Sequence, residues 1–108
     1  MPTQSSEASA LLLRLIGGDP HAGDEVLALA AVTDDPSILV AAGLLAEDYG
    51  YLERAAVGAV TVRERHLVAL AQAQLKHRTD LFDALVRDHL ADHPDHLLAA
   101  WVAGRQHS

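Results

Sequence analysis

The sequence predicts an all-α protein, folded as a short right-handed stack of antiparallel helix hairpins. Three observations carry this reading. Half of the 108 residues are hydrophobic, mostly Leu, Ala and Val, whereas aromatics make up 4%. Leu and Ala are strong helix formers, and the shortage of Tyr, Phe, Ile and Thr leaves little material for strands. Apolar residues recur at the i, i+3, i+4 spacing that places them on one helical face. Gly, Asp-Pro and Thr-x-x-Glu punctuation cuts the chain into about seven short helices, and turns of roughly two to four residues imply antiparallel neighbours.

The first helix runs from Glu7 to Ile16, with Leu11, Leu12, Leu15 and Ile16 on one face. Gly17 and Gly18 end it, because Gly accepts the left-handed conformation of a C-cap. Asp19 and Pro20 restart the chain, Asp as a cap and Pro where no N–H is needed. Val26, Leu27, Leu29 and Ala30 carry the apolar face of the second helix. Asp35-Pro36 repeats the device, and a third helix is expected from Pro36 to Asp48, with Ile38, Ala42, Leu45, Ala46 and Tyr49 on one side. Gly43 inside it costs about 1 kcal/mol relative to Ala, which reflects either neutral drift or, as the preferred reading, a close helix–helix approach. Gly50 breaks the pattern, and Tyr51 to Val60 reads as a fourth helix with Leu52, Ala55, Ala56 and Ala59 inward.

Thr61 and Glu64 form a capping-box pattern. The fifth helix follows to about Lys76 with Leu67, Leu70, Ala71 and Leu75 inward. Thr79 or Asp80 is expected to cap a sixth helix, whose stripe is Leu81, Phe82, Leu85, Val86 and Leu90. His93-Pro94 closes it, and a last helix carries Leu97, Leu98, Trp101 and Val102. Nothing divides the chain, so residues 1–108 are expected to form one domain with flexible ends at 1–6 and 105–108.

The chain contains no cysteine, and its first residues lack a basic region followed by an apolar core, which together suggest a cytoplasmic setting. Its longest apolar-rich stretch, Ile38 to Ala46, is too short to span a bilayer. Eight Lys and Arg against fifteen Asp and Glu leave a formal net charge of −7. That balance disfavours both nucleic acid and anionic membranes as partners.

The C-terminal half carries a family resemblance. Thr61-Val62-Arg63-Glu64-Arg65-His66-Leu67 starts one helix, and Leu85 to Asp92 then runs through His93-Pro94-Asp95 into the apolar Leu97-Leu98-Ala99. The order of an Arg-Glu-Arg helix start, a helix ending in an acidic-His-Pro turn and a further apolar helix resembles the divergent repeats of the tetratricopeptide repeat protein 38 type. The resemblance covers roughly Pro36 to Ala103. It implies helical-repeat packing and, by analogy of fold, partner binding. The first helix of the standard repeat has a Gly and an aromatic that Leu70 to Ala73 do not supply, and no functional residue carries over.

Chemistry-bearing residues crowd only one stretch, where Asp88, His89, Asp92, His93, Asp95 and His96 fall together. His89 and His93 project from one face, and with Asp92 they are weak candidates for metal ligands. The His-Glu-x-x-His motif is absent because Leu90 follows His89. The commoner use of Asp and His near helix ends is capping and dipole compensation, so no metal site or cofactor is assigned. His66 and His77, eleven residues apart on the fifth helix, share a face but lie about three turns apart and read as rim residues. Glu47 and Asp48 read as a solvated helix end. No nucleophile elbow, phosphate loop or dinucleotide fingerprint is present.

The expected function is therefore a non-catalytic protein–protein interaction or scaffolding module. Tyr49, Tyr51, Arg63, Arg65 and Trp101 are the candidate partner-binding residues: aromatics and Arg are favoured interface anchors. The partner is expected to be a protein, with a homodimer as one form. The alternative is a small-molecule or metal-binding helical protein that uses its interior or the His/Asp cluster at 88–96.

Overall fold

The computed structural model describes residues 3–105 and, among the described residues, consists of seven α-helices and no strand. They are α1 (Thr3–Ile16), α2 (Ala22–Ala30), α3 (Pro36–Ala46), α4 (Tyr49–Gly58), α5 (Val62–Leu75), α6 (Thr79–Asp92) and α7 (Leu97–Arg105). The ends expected to be flexible fall partly outside the described residues, while residues 3–6 and Arg105 belong to α1 and α7. No helix among the described residues is long and apolar enough to cross a membrane.

The helix starts follow from local chemistry. Pro36 opens α3, and the Asp35 carboxylate accepts the Ser37 N–H at 2.9 Å. Asp48 does the same for Gly50 at the start of α4, so Gly50 lies in the first turn of that helix and does not break it. At α5 the capping box forms: Thr61 Oγ1 accepts the Glu64 N–H, and the Glu64 carboxylate accepts the N–H groups of Thr61 and Val60. The expected side-chain cap of α6 by Thr79 or Asp80 does not form. Both lie within the helix, and Arg78 precedes it with no side-chain hydrogen bond.

Three helices stop by one device. A residue in the left-handed region turns the chain, and the next N–H reaches back five residues. Gly18 (φ 92°) does this for α1, with the Asp19 N–H donating to the Arg14 carbonyl. Glu47 (φ 52°) does it for α3 and His77 (φ 57°) for α5, through Asp48 to Gly43 and Arg78 to Ala73. Tyr49 therefore begins α4 instead of lying on the third helix, and His77 lies past the end of α5. The C-terminal end of α2 is closed from a distance by Arg54, which donates to the carbonyls of Ala30 and Thr33 at 3.0 Å each.

α3 is the central element. Ile38 to Leu44 are buried without exception, so the middle two turns of this helix have no face in water. A helix apolar all round must be surrounded, and α3 packs on α2, α4 and α5. Gly43 makes the α4 contact close: a Cβ there would stand 2.8 Å from Leu52 Cδ2. α1 packs on α2 and also meets α7, which rests on α5 and α6, so the two ends of the chain close around the core. The radius of gyration of 12.7 Å matches the ~13 Å of a single compact body of this length.

Candidate functional site

Four imidazoles gather where α5, α6 and the start of α7 meet. His89 lies in the last turn of α6, His93 caps that helix with its N–H donating to the His89 carbonyl, and His66 comes from α5. His96 arrives through a tight turn. α6 ends at Asp92, Pro94 cannot extend it, and the His96 N–H donates to the His93 carbonyl at 3.1 Å. This folds the His96 ring back onto His89, seven residues earlier.

His89 sits at the centre, 1% exposed, and His96 is 7% exposed. Their ring nitrogens His89 Nε2 and His96 Nδ1 lie 2.7 Å apart, a hydrogen bond. His93 and His96 each lie 4.9 Å from the His89 ring centroid, and His66 meets it edge-on at 5.8 Å. The other nitrogen of His89, Nδ1, is shielded from solvent and has no hydrogen-bond partner. A buried unpaired N–H is rarer and costlier than a bare acceptor. The tautomer that fits therefore has His89 Nε2–H donating to His96 Nδ1, with a bare lone pair at His89 Nδ1.

The surroundings oppose positive charge here. Burial pushes both imidazoles below their usual range, and Arg63, His93 and each other or His66 act in the same direction. His96 is pushed down to about 4. The carboxylates Asp92 (towards His89) and Asp95 (towards His96) work the other way but are exposed, so their effect is smaller. No group of three or more His, Asp or Glu among the described residues is arranged to hold a metal ion. The bonded nitrogens of His89 and His96 are closer than the about 3.3 Å that separates two nitrogens on a tetrahedral zinc with bonds of about 2.0–2.1 Å.

Beside the cluster runs a groove of about 580 Å³ between α1, α7 and the N-terminal ends of α3 and α5. Leu12, Leu13, Ile16, Leu97 and Leu98 form its apolar walls, and His96, Arg63, Glu64 and Asp95 its polar end. Leu13 and Leu97 are more than half exposed, at 55% and 53%. The two backbone N–H donors at the groove edge hold Glu64 below the usual carboxylate range, so it remains an anion.

A second cleft, about 510 Å³, opens at the α3–α4 and α5–α6 turns and is lined by Tyr49, Gln74, His77, Arg78 and Phe82 among others. The Lys76 ammonium sits 5.0 Å from the Tyr49 ring centroid.

The residues proposed from sequence do not share one surface. Tyr49 lines the second cleft, while Tyr51 is half-buried with the Arg54 guanidinium 5.9 Å from its ring centroid. Arg63 lies in the α1–α7 groove, and Arg65 is exposed on α5. Trp101 is half-buried against the core. Of the metal candidates, His89 and His93 stand in the cluster, and Asp92 is exposed at its edge. Sequence reasoning missed His66 and His96 as partners of His89, and Leu13 and Leu97 as groove walls. One signal for His96 was present: positions 89, 93 and 96 keep the i, i+4, i+7 spacing across the proline.

Comparison with protein-family profiles, with curated proteins and with solved structures finds no match to this chain.

Proposed function

We propose that this protein is a non-catalytic helical-repeat interaction module of the tetratricopeptide kind, and that its α1–α7 groove docks an amphipathic, basic helix of a partner protein. One observation carries the reading: a concave apolar surface in which Leu13 and Leu97 stand half in water on facing helices. Exposed apolar patches rimmed by polar residues favour binding sites. The α3–α4 and α5–α6 packings support hairpin stacking, and the α1–α7 contact shortens the stack into a closed body.

Charge selects the occupant. A surface carrying −7 attracts cationic partners and repels a second copy of itself, which places a basic partner ahead of the homodimer. The exposed Asp95 at the groove end suits Lys or Arg flanking an apolar helix face. The absence of cysteine fits a cytoplasmic setting.

The test uses a short Leu/Lys amphipathic helix and its Leu/Glu counterpart, followed by amide chemical shifts. The Leu/Lys peptide is expected to bind and to shift α1 and α7 residues, the Leu/Glu peptide to stay free, and Leu13→Glu or Leu97→Glu to abolish binding. Shifts elsewhere, or binding indifferent to both substitutions, would overturn the assignment. Self-association in sedimentation that Leu13→Glu reverses would give the groove to a second copy instead.

A further inference from the structure

We propose that the His89–His96 pair, enclosed by His66 and His93, is a proton-operated latch: it holds the start of α7 while the pair is neutral and releases α7 when acid charges both rings. The His89–His96 hydrogen bond is a buried polar tie between α6 and the residue that precedes α7. It needs one nitrogen with a hydrogen and one without. With both rings cationic, both nitrogens at the 2.7 Å contact carry hydrogen and the tie becomes a repulsion.

Most groups packed on the pair add to this bias, and the two carboxylates that oppose it, Asp92 and Asp95, are the weakest influences on the pair. α5 contributes the Arg63 guanidinium and His66, and the residue that caps α6 is His93; Arg63 and His93 oppose charge on both rings of the pair, and His66 on His89. The carboxylates Asp92 and Asp95 are exposed and screened, and the Glu64 carboxylate is already engaged by Val60 and Thr61. α1 faces the groove with Ser9, Leu12, Leu13 and Ile16, none of which titrates. His96 also immediately precedes α7, and its carbonyl accepts the Ala100 N–H. A positive ring there opposes the positive end of the helix dipole.

Release frees the rings to return to ordinary histidine behaviour, so opening takes up protons and steepens as pH falls. α7 is a short element whose buried anchors are Leu98, Ala99 and Val102, whereas α3 is buried throughout Ile38 to Leu44 and carries no titratable group. Acid therefore loosens α7 before the core. Because α7 is one wall of the groove, release would also dismantle the docking surface; that consequence rests on the docking reading, and the latch does not.

Trp101, the only tryptophan, lies half-buried on α7 and reports its release. The experiment follows its fluorescence and the total helix signal from pH 7.5 to 4, in the intact protein and in His96→Asn. Asn keeps an acceptor for His89 and can cap α7 but cannot take a charge. In the intact protein, Trp101 is expected to become solvent-exposed before the helix signal collapses. In His96→Asn the midpoint should move down by about one pH unit or more. His93→Gln, which removes one of the groups that oppose charge on the pair, should move it the same way by a smaller step. Unchanged midpoints in both variants, or Trp101 exposure that coincides with loss of all helix, would overturn the proposal.

Discussion

The surroundings of α3 and the α6–α7 corner are built on opposite principles. Around α3, Leu, Ile, Val and Ala fill every side, Gly43 lets Leu52 approach, and no buried polar side chain needs a particular protonation state. At the α6–α7 corner the same burial encloses His89 and His96, whose hydrogen bond exists only while a specific set of nitrogens is bare. Dry packing is insensitive to pH. A buried imidazole pair transfers the solution's proton activity directly into stability. Within one small body, one region carries persistence and the other carries response.

Truncation of the dry region should have the largest effect. Leu39→Ala is expected to cost about 3 kcal/mol through lost burial and the cavity left behind. In urea denaturation the loss should be the same at pH 7.5 and 5.5, and a pH-dependent loss would erase the contrast. Acid acts next, on the histidine region. His96 titrates at about 4 in the fold against 6.5 for the ordinary group. Its contribution is whole above about pH 6.5; below that the unfolded chain binds the proton first and stability falls, until both states are protonated below about 4. The slope in this window should approach 1.4 kcal/mol per pH unit in urea titrations, and His96→Asn should flatten it. Thr61→Ala removes the hydroxyl of the α5 cap and is expected to cost about 1 kcal/mol in the same assay, at either pH. The smallest effect should be a gain: His77→Gly relieves a non-glycine residue at φ 57° and is expected to stabilise by roughly 0.5–1 kcal/mol.

Helix content and several boundaries were legible because their causes are local. Gly17-Gly18 marks the end of α1, and Thr61 with Glu64 marks the start of α5. The ends of α3 and α5 were less legible, since Glu47 and His77 take the left-handed turn that a reader expects glycine to take. The apolar pattern alone therefore puts Tyr49 on the third helix and His77 on the fifth. The candidate site was legible in half. The crowding of His and Asp at 88–96 is visible in the sequence, and so is the shared face of His89 and His93. Pro94 ends the helix between His93 and His96, but the chain turns back there, and periodicity within a helix does not report what a turn returns to it. His66 joins from another helix, a contact that only packing creates. Leu97 reads as part of the apolar stripe of the last helix, yet α7 buries Leu98 and Val102 and leaves Leu97 on the groove wall.

The most direct test of this division is pulse-labelled amide hydrogen exchange, with the labelling pulse held at one pH after equilibration at pH 7.5 or 5.5. The α3 amides should open only with global unfolding at both values, and the α7 amides should open below the global free energy at pH 5.5 by a margin that grows with acid. Protection of α3 and α7 that falls in step would show a single unit with no local latch and would contradict the division of the fold into a persistent and a responsive part.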